Sequence, residues 1–384
     1  MTFKHVSYLL YPKPIYYLIF LIIFLSCQEK DASKLVFDLE LVKIDSFVVK
    51  RDTRFKILDH HGTSGNYLGY DPITKSFLVI GQKGEIIDEV KRSGEGPNEY
   101  SNSLSTAAFY QVGGGIVVQS ANELIWYNEN WEIKKRWKYA PSFGVTVYGG
   151  PRFKTPYYLR NDATTPFVFT SFFPNVKVPF GEIQSLSPNG QIIEVFESNN
   201  DSLVWKLPVD FKQYTAFEPE EKGFDQAPVY HLDENSGSLL LTFDHSLTIG
   251  SYSLNTDFEL TKAISLTEDK FADGGKGKNI KVFPVTDQGL GILRYSSMSE
   301  LELKRKNEVN SNYTPLRDSE LYRFYFIDSV TELVQEIPFP KRIEPNSELL
   351  PLGGNRILMR NRDREDVEID QSSYSIFIFR KKEK

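Results

Sequence analysis

Short runs of alternating hydrophobic and polar residues, separated by turn residues, follow one another along most of this chain, a period-2 pattern that predicts β-strands. NYLGYDPITKSFLVIGQKGEIIDEVKR, residues 66–92, reads as three strands. DPITKS and GQKGE are the turns, their proline and glycines supplying the backbone angles that turns need. LSTAAFYQVGGGIVVQSANELIWYNENWEIKKRWKY, residues 104–139, gives four strands parted by VGGG, SAN and NEN. Four short antiparallel strands repeated at this spacing predict the blades of a β-propeller, in which each blade buries a face on its neighbours.

The design recurs more loosely over Tyr157 to Glu197 and again over Val229 to Leu266, where DENSGS marks a hairpin. A fifth unit starts near Ile280 and resumes at LYRFYFIDSVTELVQEIPF. Between its halves, polar and charged residues from Ser296 to Ser319 predict an insertion with a short helical piece. The last unit, from Ile343, lacks one strand, and KLVFDLELVKI near the start of the chain can supply it, closing the ring and removing exposed sheet edges. The expected fold is thus all-β, a propeller of six four-stranded blades in one domain over residues 35–384. Seven blades is the nearest alternative count, and a pair of β-sandwiches the alternative architecture.

Composition supports strands over helices: aromatics make up 14%, with 28 Phe and 21 Tyr. With 40% hydrophobic and 25% charged residues, the chain can build a sizeable core.

Residues 1–26 have a different pattern. Lys4 and Lys13 precede an unbroken apolar run from Ile15 to Leu25, 11 residues long, which is short for a spanning helix and typical of an export signal. The sequence that follows, FLSCQEKD, resembles a bacterial lipoprotein signal box. Ser26 stands at the small-residue position and Cys27 at the cysteine that becomes lipid-modified, while Phe24 departs from the usual Leu. Cys27 is the single cysteine of the chain, so no intrachain disulfide can form. The resemblance implies a signal peptide over 1–26, a polar tether over 27–34, and lipid anchoring through Cys27 to the envelope of a Gram-negative bacterium, at the outer membrane. Removing the signal takes away two lysines and no acid, moving the formal net charge from −6 to −8. With that charge and no basic stripe, no nucleic-acid partner is expected.

The most conspicuous short stretch is KRSGEGPNEY, residues 91–100. It lacks the third glycine and following helix of a dinucleotide-binding loop, with Glu99 at that position. It is similar to the blade-to-blade connections of six-bladed propellers of the NHL and TolB-like kind, which Gly94, Gly96, Pro97 and Tyr100 match and Asn98 departs from. In such connections Arg92, Glu95 and Glu99 are candidates to face a ligand. Glu95 and Glu99, four residues apart on a turn, do not make a catalytic pair.

Other candidates are weaker. In LDHHGTSGNY, His60 and His61 with Asp59 could contribute to acid–base or metal chemistry, but neighbours on a strand point to opposite faces. His231 and His245 lie near Asp233 and Asp244 without a metal-ligand spacing. DKFADGGKGKNI has Asp269 and Asp273, but Phe271 and Ile280 occupy ligand positions of a calcium loop. No metal site and no cofactor are therefore expected. The function expected is a binding module for a protein or glycan ligand. The alternative is a propeller enzyme, a polysaccharide lyase or hydrolase, with His60, His61, Arg160 and Asp162 as the first residues to consider.

Overall fold

Among the described residues, twenty-six strands account for nearly all the regular structure. The computed structural model describes residues 38–100, 104–110, 114–120, 123–138, 228–233, 236–255, 259–286, 289–345, 349–363 and 370–382, with backbone alone for strand segments between 157 and 210. Cys27 and the tether lie outside the described residues.

In chain order the strands are β1 (Leu39–Lys50); β2 to β5 (Lys56–His60, Tyr67–Asp71, Ser76–Ile80, Ile86–Lys91); and β6 to β9 (Leu104–Phe109, Ile116–Ser120, Glu123–Tyr127, Ile133–Lys138). Next come β10 to β15 (Tyr157–Tyr158, Phe167–Ser171, Asn175–Lys177, Ile183–Ser185, Gln191–Asn199, Ser202–Asp210) and β16 to β19 (Pro228–Asp233, Ser238–Phe243, Thr248–Ser253, Leu260–Ser265). The last are β20 to β23 (Lys278–Thr286, Gly289–Tyr295, Tyr322–Asp328, Val334–Pro338) and β24 to β26 (Leu349–Gly353, Arg356–Arg360, Gln371–Lys381).

Four strands in sequence form each of the sheets β2–β5, β16–β19 and β20–β23, and β24, β25, β26 and β1 form another. Burial follows position in the blade. All five residues of β3 are buried, whereas the outermost strand β5, IIDEVK, alternates half-buried and exposed. A strand covered on both faces needs a continuous apolar run, and one covered on a single face needs alternation. Aromatic rings fill the seam between the first two sheets. Phe77 stacks on Trp131 with centroids 5.4 Å apart and planes 24° from parallel, and the buried Tyr100 meets Phe77 edge-on.

The chain is a β-propeller of five blades, which corrects the expected six. The segment expected to form a separate third blade, Tyr157 to Glu197, supplies β10, β11 and most of β14 instead, and β15 follows just beyond it. Ser202 of β15 pairs in parallel with Lys138 of β9, so these strands extend the β6–β9 sheet to eight strands.

Closure by the N-terminal strand is as expected. β1 pairs antiparallel with β26 from Leu39↔Lys381 to Lys50↔Gln371. The expected insertion carries a helix, α1 (Glu300–Val309), whose Ser299 and Glu302 form a reciprocal capping box. Among the described residues no helix is long and apolar enough to cross a membrane.

Candidate functional site

Within a blade successive strands run antiparallel, so the first–second and third–fourth hairpins share one face of the propeller. On that face the innermost strands β2, β6, β16, β20 and β24 end around a cavity of about 1050 Å³. Its wall includes Asp59, His60, Phe109, His231, Asp233, Thr286 and Arg356.

Asp59 is aimed by a fault in its strand. The β2–β3 register slips between Ile57 and Asp59, and a bulge of this kind re-aims a side chain. Asp59 Oδ2 accepts the backbone N–H of Phe109 at 2.8 Å, across the seam between two blades. Protein surrounds the carboxyl although it keeps contact with the cavity. Desolvation pushes its pKa up to about 7, against the lowering effect of the Phe109 and His60 amides.

His60 is half-buried, with its ring 5.1 Å from that of Tyr67. Burial holds its pKa down at about 4, helped by the positive charge of Arg356 and by His61. Arg356 starts β25 directly after Gly354 and Asn355, whose φ angles of 58° and 63° are those of a tight hairpin turn. The turn places the guanidinium at the cavity mouth, where Nε donates to Gly353 O at 3.3 Å.

The opposite wall is rich in hydroxyls. Ser236 Oγ donates to Asp233 Oδ2 at 2.6 Å and lies 2.7 Å from Ser238 Oγ. Thr261 Oγ1 donates to Ser251 O at 2.9 Å. Lys262, also in the wall, lies within the electrostatic reach of Asp328. Farther along β20 from the mouth than Pro284, half-buried Lys281 has its pKa pushed down to about 8 by burial. The polar groups, a desolvated carboxyl and a guanidinium facing one half-open cavity make the mouth competent to bind a polar ligand.

Of the sequence candidates, His60 lies in the cavity wall, and His61 lies beside it. The His61 ring is 5.2 Å from Phe109, and its Nδ1 is 2.8 Å from Ser64 Oγ. Arg92, Glu95 and Glu99 lie on the opposite face of the propeller. Lys91 pairs with Ser76 at the end of the blade away from the His60↔Tyr67 pair, and the 91–100 connection continues from there.

In that connection Arg92 Nε donates to Trp131 O at 3.1 Å, and Glu99 Oε2 accepts the Gly96 amide at 2.7 Å. Glu95 is exposed. Arg160 and Asp162 lie outside the described residues. His245 sits in the β17–β18 turn, again at the far face from His231. Among the described residues no group of three His, Cys, Asp or Glu side chains is arranged to hold a metal ion.

The sequence reading missed Arg356 and Lys281. GGN before Arg356 was a usable turn signal, whereas nothing local marks Lys281.

No family model matches the sequence, and no curated protein matches it. Among solved structures, the chain is similar to a member of the DUF4221 family from Bacteroides vulgatus. The TM-score is 0.56 at 10% identity, over 90% of this chain and 99% of that one. It is also similar to a Bacteroides fragilis protein whose name assigns it to export, with a TM-score of 0.48 at 13% identity, over 91% of this chain and 96% of that one. At such identities the first likeness is one of fold.

Proposed function

We propose that this chain is an exported, lipid-anchored propeller that binds a glycan or protein ligand outside the cytoplasm, with the axial mouth as its binding site. The observation that carries the reading is the convergence of five innermost strands on one cavity, with Asp59, His60, Asp233 and Arg356 in its wall. The apolar run Ile15–Leu25 followed by Ser26 and Cys27 supports export and anchoring at the outer membrane. The Gly94, Gly96, Pro97 and Tyr100 pattern supports kinship with NHL and TolB-like connections. Leu39, where the propeller begins, is on the face of the mouth, because β1 starts opposite Lys381 and Arg356 pairs with nearby Ile378.

A glycan-binding screen and recovery of co-purifying partners from membranes test the binding role, each run in parallel with Ser238→Trp to fill the mouth. Loss of binding with an unchanged melting temperature is expected. Binding that survives the tryptophan places the site elsewhere. Cys27→Ala tests the anchor: release from the membrane is expected, and unchanged processing and localisation contradict anchoring.

A second reading, a propeller hydrolase or lyase, is favoured by one observation, the Asp59 carboxyl with its pKa near 7 beside His60. Turnover of captured glycans that Asp59→Asn abolishes, with binding intact, distinguishes this reading from a binding module.

A further inference from the structure

Arg356 differs from most arginines of this propeller. Arg51, Arg136, Arg323 and Arg360 each pair with a carboxylate, at 2.7 Å to Asp71, 3.0 Å to Glu123, 3.0 Å to Glu336 and 3.0 Å to Asp363. Arg356 forms no ion pair among the described residues. Its one hydrogen bond there runs from Nε to Gly353 O and does not use either terminal nitrogen. It lies in the wall of the axial cavity, and its charge reaches His60 and Tyr67 on the neighbouring blade.

A guanidinium held by its Nε presents a planar fork that matches a carboxylate with two parallel bonds. The rest of the wall restricts what that carboxylate belongs to. Ser236, Ser238, Ser251 and Thr261 offer hydroxyls, while the largely buried Phe109, Leu240, Ile249 and Ile264 form an apolar backing. Alternating polar edges and apolar faces suit a pyranose. Asp233 in the same wall opposes a ligand of high negative charge, and the charge of Lys262 is partly offset by the field of Asp328. Arg356, the one guanidinium in that wall among the described residues, therefore matches a single carboxylate. Asp59, its pKa raised to about 7, is mostly protonated in mildly acidic surroundings and there repels an acid little.

We infer that the axial mouth takes a carboxylate-bearing saccharide, of the uronate or sialate type, with Arg356 pairing with the sugar carboxylate and the serine and threonine hydroxyls meeting the ring hydroxyls. The inference rests on the axial mouth being the binding site, as proposed above.

The test is titration calorimetry of the full chain, purified from membranes in detergent, with a panel of uronate- and sialate-bearing oligosaccharides and the methyl ester of each. At least one acid should bind roughly tenfold or more tightly than its ester, the effect expected of a charge-assisted pair. Arg356→Gln should bring that acid down to the level of the ester, with the melting temperature unchanged because the side chain is exposed. Arg356→Lys should keep part of the preference. Equal binding of acids and esters overturns the inference, as does no acid binding at all, or a preference that Arg356→Gln leaves intact. If esters bind and Ser238→Trp abolishes that binding, the axial site stands and only the acidic class fails. If acids bind selectively and Ser238→Trp has no effect, the axial site itself fails.

Discussion

The carboxylate of Asp59 accepts the amide of Phe109 at 2.8 Å, fifty residues along the chain, tying the innermost strands of the first two blades together at the edge of the cavity. The acid is desolvated, and its neighbour His60 is desolvated as well. Burial moves their pKa values in opposite directions, the acid up and the imidazole down.

Their effects on stability oppose each other. Asp59 rises from 3.8 to about 7 on folding, so its contribution is fully present below 3.8 and is lost as pH climbs towards 7. His60 falls from 6.5 to about 4, so its contribution is present above 6.5 and is lost as pH drops towards 4. Between pH 4 and 6.5 the two slopes cancel, each about 1 kcal/mol per pH unit. Asp59→Asn, which keeps an acceptor for Phe109, should make stability rise with pH across that window, and His60→Gln should make it fall. Urea unfolding at several pH values checks both. Parallel curves for the two variants contradict the assignment.

Arg51 is the hub of the first blade. It donates to Asp71 and in a fork to Glu89, while Asp71, fully buried, also accepts from the Thr53 hydroxyl and the amides of Ile73 and Thr74. Arg51→Met removes the cation and leaves a buried carboxylate behind, at a cost of about 3 kcal/mol. The midpoint of denaturant unfolding should fall accordingly. Arg51→Met with Asp71→Asn should recover part of the loss.

Two glycines should respond differently to alanine. Gly115 has φ +81°, and an added Cβ meets the backbone oxygen of Tyr127, which cannot move without breaking the β7–β8 hairpin. At Gly94 an added Cβ meets only the end of the Glu99 side chain. Gly115→Ala should cost on the order of 2 kcal/mol or more, and Gly94→Ala clearly less. Thermal melts of the two variants rank them. A reversed order contradicts the packing described.

The closing strand should be indispensable. Gln335 holds Leu39 at both backbone groups, Nε2 donating to Leu39 O at 2.7 Å and Oε1 accepting Leu39 N at 2.8 Å. Deleting residues 39–50 uncovers the whole edge of β26 and should produce aggregation. Gln335→Ala should only loosen the start of the strand, seen as faster amide exchange at Leu39 and its neighbours.

The hairpins of residues 66–92 were legible in the sequence because alternation and turn chemistry are local. The blade count was not. Phe167–Ser171 and Gln191–Asn199 do pair as strands, but whether they form a blade depends on Ser202 meeting Lys138, a contact no local pattern encodes. The site was legible in part. His60 drew notice as a histidine, whereas Arg356 matters through the turn that sets it at the axis. KRSGEGPNEY was conspicuous because its glycines and proline make a sharp connection, and that connection lies at the far face from the cavity.

The most direct test of the axial site is hydrogen–deuterium exchange of the full chain with and without a bound glycan from the screen. Protection over residues 58–67, 231–240 and 350–357, with residues 91–100 unchanged, is the predicted result. Protection confined to residues 91–100 would place recognition on the opposite face and contradict the account.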